Sequence, residues 1–337
     1  MRRFFTIFLV GSFLLTACRK DVENSMVGDE NLLIPNHIPV ANYNAPLLHQ
    51  NTWVDMGRKL FYDTSLSIDS SISCASCHAQ VHGFADHGLA LSQGFQGQLG
   101  TRNSPAIFNM AWNSSFMWDG GINHIEVMPV APFTSEVEMN ISMLELVQRV
   151  NNNPQYAAFN VILQGESIYS DAHILKALAA FMSKITSFGS RYDAMRQGIL
   201  TFNETEVKGY RLFQEYCNTC HVEPMFTDYT FASNRNRWSE LDPGRYRITM
   251  DSADYGLFKV PTLRNLSYTN PYRHDGSEHS LDIVLSNYLK AGEEYFSGDA
   301  RIQHLYALTS DDLQKIKSFL LTLDDPKLLS NQEISEP

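Results

Sequence analysis

The chain is poor in cysteine, poor in cations, and has no apolar run of comfortable membrane-spanning length. Five cysteines in 337 residues are too few for a disulfide scaffold. Lys and Arg number 26 against 37 Asp and Glu, a net charge of −11, which argues against nucleic acid or anionic lipid as a partner. The amino-terminal apolar run Phe4–Leu15 is shorter than a bilayer-crossing helix needs. Strand-like alternation is scarce, so a mainly α fold is expected. What remains is an ordinary globular composition, 44% hydrophobic, with length for two domains.

The amino terminus has the layout of an export signal. Arg2 and Arg3 precede the apolar run, which ends in Leu15-Thr16-Ala17-Cys18. This resembles a bacterial lipoprotein signal. The expectation is removal of residues 1–17, lipid attachment at Cys18 and a polar tether over 18–44. The protein would then be periplasmic and touch the membrane only through its lipid anchor.

The other four cysteines fall into two pairs, each followed by histidine: Cys74-Ala75-Ser76-Cys77-His78 and Cys217-Asn218-Thr219-Cys220-His221. Both match the attachment pattern of a c-type haem, in which two thiols bond to the haem edge and the adjacent histidine ligates iron. One zinc held by four cysteines, or two redox disulfides, are the competing readings. The zinc reading gives the two histidines no reason to stand in register.

Helical signals surround both motifs. Trp53, Met56, Leu60 and Phe61 precede the first at helical spacing. Asn203-x-x-Glu206 is a capping-box pattern ahead of Val207, Tyr210, Leu212, Phe213 and Tyr216 before the second. Leu144, Val147 and Val150, then Ile174–Ile185, read as helical, as does Asp311–Leu323 after a Thr309/Ser310 cap. A second echo links the halves. Pro105-Ala106-Ile107-Phe108-Asn109 is followed nine residues after the asparagine by Trp118-Asp119-Gly120, and Pro261-Thr262-Leu263-Arg264-Asn265 by His274-Asp275-Gly276 after the same interval. Matched spacing behind each motif points to duplication of one unit. The expected organisation is two tandem cytochrome c-like domains, 45–200 and 201–327, with a tail over 328–337.

Thr101-Arg102-Asn103-Ser104-Pro105, Trp118-Asp119-Gly120, Val137-Glu138-Met139, Phe258–Asn265 and His274-Asp275-Gly276 together resemble the bacterial dihaem cytochrome c peroxidases and their MauG-type relatives, over roughly residues 45–325. The resemblance implies two c-type haems, a peroxide-reacting one in the first domain and an electron-handling one in the second. It implies His78 and His221 as proximal ligands, Trp118 between the haems, and Glu138 as the acid/base carboxylate at the peroxidatic iron. It also implies a calcium ion between the domains, held by Asn103, Thr269 and Pro271. Hydrogen peroxide would be the substrate. A small redox protein would donate electrons, or a protein side chain would be the target of oxidation. A dihaem electron carrier or redox sensor is the non-catalytic alternative, although such a protein needs no Glu138.

Three positions depart from the best-known members. A histidine expected seven residues before Arg102 is replaced by Phe95, which cannot ligate iron; His82 and His87 lie nearby as substitutes. The simplest expectation is a first haem open to peroxide without prior reduction. Tyr288 stands where the peroxidases carry a methionine ligand, fourteen residues after His274, as in MauG-type enzymes; Met225 and Met250 compete with it. Met128 replaces a glutamine ten residues after Trp118, removing a hydrogen-bond donor.

Overall fold

The computed structural model describes residues 34–43, 50–86, 88–234, 241–293 and 299–337. The expected leader, Cys18, His87 and much of the expected tether lie outside those residues. Six helices of ten or more residues carry the architecture: α1 Asn51–Tyr62, α2 Met143–Asn152, α3 Asp171–Lys184, α4 Glu204–Tyr216, α5 Leu281–Glu293 and α6 Ser310–Leu320. Extended structure among the described residues amounts to β1 Phe231–Ala232 paired antiparallel with β2 Phe258–Lys259. The fold is mainly α, as composition and periodicity indicate.

The caps form where the sequence places them. The Asn203 side chain accepts from the Glu206 N–H, and the Glu206 carboxylate accepts from the Asn203 N–H, both at 2.9 Å. Thr309 and Asp312 repeat the device at α6. In α2 the apolar face differs from expectation. Leu146 and Val150, one turn apart, are buried, whereas Leu144 is exposed because it lies on the opposite side of a helix that starts at Met143.

Ile34–Pro337 form one compact unit with two main hydrophobic cores. Trp53, Met56, Leu60 and Phe61 of α1 meet α3 in the first; Phe213 of α4 meets Phe319 of α6 in the second. The same glycine device closes both helix pairs. A Cβ at Gly57 would stand 1.9 Å from the Ala177 carbonyl oxygen of α3, and one at Gly209 would stand 1.9 Å from the Lys315 carbonyl oxygen of α6. Only glycine lets the backbones approach so closely.

The echoed asparagines are also equivalent. Asn109 and Asn265 both adopt left-handed conformations, with φ of 56° and 62°. Asn109 donates its N–H to the Ile185 carbonyl (2.8 Å) just after α3 and accepts the Ser187 N–H on its side chain (2.8 Å). Asn265 accepts the Asp325 N–H (2.8 Å) beyond α6 and donates to the Ser187 hydroxyl (2.8 Å). Each asparagine thus ties its own loop to the end of its own helix pair, and Ser187 joins the two.

Beside this seam Arg264 is fully buried and donates to both oxygens of buried Asp193 at 2.8 Å, and to the Pro224 carbonyl at 2.9 Å. The chain ends bind the cores. His37 bonds Asp193 at 3.0 Å, and Trp112 donates to the Pro39 carbonyl at 2.7 Å. The last ten residues, which read as a tail, return to the first core: Leu328 and Ile334 are buried in it, and Gln80 and Tyr62 donate to the Leu328 and Ile334 carbonyls.

Candidate functional site

Both C-x-x-C-H segments face a cavity of about 880 Å³. Cys74–Cys77 form a single helical turn of their own capped by Ser73, whereas Cys217 caps the end of α4 and Cys220 lies in the turn that follows. The His78 N–H donates to the Cys74 carbonyl and the His221 N–H to the Cys217 carbonyl, each at 3.0 Å. This turns both histidines beneath their cysteine pairs. His78 Nδ1 lies 3.1 Å from the Phe84 carbonyl, and His221 Nδ1 lies 3.3 Å from the Phe226 carbonyl and 3.1 Å from that of Pro261. Carbonyls at Nδ1 favour the tautomer protonated there, with an Nε2 lone pair of the kind a metal ligand needs. Burial pushes both imidazoles below their usual pKa, holding them neutral as metal ligation requires.

These features fit covalent haem. Folded interiors carry few voids, so a cavity of this size between two cores calls for an occupant. Buried thiols, pushed up to about 12 for Cys74 and Cys217 and about 11 for Cys77 and Cys220, are neutral groups on its wall. Among the described residues no three His, Cys, Asp or Glu side chains converge as a metal-ion cage, so the four cysteines do not make a zinc site.

On the first half's side the wall holds Glu138 and Met128. Glu138 sits in a turn, its N–H donating to Ser135 O (3.1 Å) and its carbonyl accepting the Phe95 N–H (2.8 Å). Burial pushes its carboxyl above the usual range. The neighbouring Gly94 makes this placement possible, since a Cβ there would come within 1.9 Å of the Val137 carbonyl oxygen and 2.7 Å of Glu138 Cα. Gly94 carries no pattern that sequence reasoning could use. Phe95 packs against the first core, and His82 is outside the cavity wall.

On the second half's side the wall holds Tyr288, from α5, with Cys217 and Cys220. Burial pushes its phenol up to about 12, against the opposing effect of a hydrogen bond with Asn234. Of the competing methionines, Met225 is buried in the wall, whereas Met250 is exposed and outside it.

Trp118 lies in the same wall, fixed by its indole N–H to the Asn103 carbonyl (2.8 Å) and by its own carbonyl to the Lys259 N–H (2.8 Å). Arg102 clamps the halves, reaching Asp119 at 2.5 Å and Asp242 at 2.6 Å. Asn103, Thr269 and Pro271 all border the cavity. The Asn103 amide nitrogen donates to the Leu89 and Ala90 carbonyls, both at 3.1 Å, which leaves its side-chain oxygen as an acceptor.

The fold and site therefore define a helical protein with two haem-attachment segments opening on one cavity. The sequence profile of the di-haem cytochrome c peroxidases matches residues 51–200. The chain is 34% identical to methylamine utilization protein MauG of Methylorubrum extorquens, over 77% of this chain and 74% of that one. It is 31% identical to cytochrome c551 peroxidase of Nitrosomonas europaea, over 85% and 84%. A solved MauG-like protein associated with microbial copper homeostasis superimposes with a TM-score of 0.80 at 28% identity, covering 91% of this chain and 99% of that one. The chain belongs to the di-haem cytochrome c peroxidase and MauG family, whose members carry two c-type haems, and is an oxidoreductase.

Proposed function

We propose that the protein reduces hydrogen peroxide at a haem held by Cys74, Cys77 and His78, with electrons arriving through a second haem held by Cys217, Cys220 and His221. The observation that carries this reading is Glu138, a half-buried carboxylate whose pKa desolvation raises, in the wall that also holds the first attachment segment. A haem iron bound there supplies the electrons and the Lewis-acid site for splitting the O–O bond. Glu138 takes the proton from one peroxide oxygen and returns it to the departing one, so that two electrons and two further protons give two waters. Met128 has no proton to give, which leaves this transfer to Glu138. Trp118, held at both its indole N–H and its carbonyl, is the aromatic group placed to couple the two sites. Each core then centres on one haem domain, 45–200 or 201–327, although Tyr192 joins the second core and Leu328 and Ile334 the first. The oxygen atoms of Asn103, Thr269 and Pro271 suit a calcium ion between them. Export to the periplasm and a lipid at Cys18 complete the reading; no helix among the described residues is long and apolar enough to cross a membrane.

Tyr288 favours a second reading, in which both haems store oxidising equivalents and a protein or peptide side chain is oxidised. A phenolate ligand favours higher oxidation states of iron more than a thioether does. Peroxide added to the diferric protein separates the two. Inertness until half-reduction supports the peroxidase. A long-lived spectral change at both haems without reduction supports the oxidant, and silence in both states refutes each. In the second reading Tyr288→Phe changes the second haem's spectrum; an unchanged spectrum removes the ligand.

A further inference from the structure

Lys259 is a half-buried cation of the cavity wall that neither the fold nor the proposed peroxide chemistry uses. Its backbone is held twice, by pairing with Phe231 across β1–β2 and by the Trp118 carbonyl. Its side chain borders the cavity, and Nζ donates to the Ser115 carbonyl at 3.1 Å. An ammonium has three donors, so one carbonyl leaves two unspent. Among the described residues no carboxylate pairs with it, and burial pushes its pKa down to about 8. Other cations of the wall are matched: Arg102 by Asp119 and Asp242, Arg264 by Asp193, Arg301 by Asp228 and Asp299. The Tyr229 hydroxyl of the same wall is buried with no hydrogen-bond partner among the described residues.

A cation with donors to spare and a hydroxyl with no partner among the described residues, in one cavity, point to an occupant that brings anionic oxygen with it. A haem brings two propionate carboxylates, and attachment through cysteine and histidine leaves that edge of the ring to be held by something else. We propose that Lys259 is the counter-ion of a haem propionate in this cavity, and that this contact sets the reduction potential of that haem. The inference rests on the two-haem reading and holds for either of the proposed activities. Lys259 acts as a positioning and tuning residue, adjacent through its backbone to Trp118.

The other charged groups packed around it have partners of their own. Arg245 lies over the Phe231 ring and pairs with Asp254, Asp119 and Asp242 are tied to Arg102, and burial pushes His274, stacked on Phe258, down to about 4. The test compares wild type, Lys259→Arg and Lys259→Met. Haem content is measured first by pyridine haemochrome, then the midpoint potential of each haem from about pH 5 to 8, the span of ordinary histidine titration. Lys259→Arg keeps the wild-type potentials. Lys259→Met retains two haems, but one potential drops at the alkaline end because a neighbouring cation is lost. That potential climbs as pH falls, because the unpaired buried propionate now takes up a proton. Wild-type potentials and pH slopes in Lys259→Met overturn the proposal. Should that variant not accumulate, resonance Raman of the wild type decides: a propionate bending mode that shifts in D2O supports a donating N–H, and no shift at either haem overturns it. Fewer than two haems in the wild type refutes the two-haem reading instead.

Discussion

Replacing Glu138 with Gln removes one ionisable oxygen and changes little else. The Phe95 N–H bond is to the Glu138 backbone carbonyl, and the Glu138 N–H bond is to Ser135, so both survive. A partly desolvated carboxylate is replaced by a neutral amide, so the variant melts no lower than wild type. Positioned general acid–base groups contribute about 10²–10⁴-fold to rate, or roughly 2.7–5.4 kcal/mol at about 1.36 kcal/mol per decade. The upper part of that range is expected here. The other carboxylates of the wall, Asp119 and Asp299, are engaged by Arg102 and Arg301, and Met128 cannot move a proton. The assay is stopped-flow peroxide consumption by the haem-loaded protein, in diferric and half-reduced states, across pH. Because burial raises the Glu138 pKa, its proton-accepting form is present only above that raised value. The wild-type rate therefore climbs with pH through an acid limb displaced above the ordinary carboxylate range, and the limb disappears in Glu138→Gln. A variant within tenfold of wild type that keeps the same limb refutes the assignment of proton transfer to Glu138.

Two further predictions concern the scaffold. Gly57→Ala and Gly209→Ala each force a Cβ toward a carbonyl oxygen 1.9 Å away, so overpacking of about 1–3 kcal/mol or more outweighs the roughly 1 kcal/mol gain in helix propensity. Both lower the melting temperature of the haem-loaded protein, and an unchanged or higher value in either contradicts the close crossing. Burial opposes ionisation of Asp193, but its hydrogen bonds and charge attraction with Arg264 win and hold the carboxyl below the usual range. The stability this pair contributes is thus present above the unfolded pKa near ~3.9 and is lost as pH falls through the lower folded value. Arg264→Met strands the buried carboxylate at a cost of about 3–5 kcal/mol; acid unfolding followed by circular dichroism should move to higher pH, and an unmoved midpoint argues against the pair.

What was legible in the sequence was local. The helix starts were written in Asn203/Glu206 and Thr309/Asp312, because a capping box spans three residues and closes on itself. The attachment segments were legible for the same reason, being one turn of chain. The echoed asparagines were visible as a repeat, although their work of tying a loop to the end of a helix pair emerges only when Ser187 and Asp325 come close. Contacts made across long stretches of chain left no pattern. Arg264 and Asp193 are 71 residues apart and neither stands in a motif that names the other. Lys259 reads as one cation among 26 until the fold sets it in the cavity wall, paired with no carboxylate among the described residues. The last ten residues read as a tail because Leu328 and Ile334, the two that anchor them, stand in a stretch too short to show a helical or strand period.

Duplication explains why the scaffold repeats, and it also isolates what does not. Gly57 matches Gly209, Asn109 matches Asn265, and the carbonyl of Phe84 serves His78 as that of Phe226 serves His221. Shared devices of this kind hold a ring and its ligand in each half and cannot by themselves distinguish one haem from the other. The two sides part company at the groups that face the cavity: a half-buried carboxylate and a methionine in the first half, a half-buried phenol in the second. A carboxylate moves protons; a phenol has an oxygen to offer a metal. Chemical division of labour between two copies of one unit therefore follows from a few wall residues, and exchanging those residues between halves would alter reactivity while leaving the helix pairs intact.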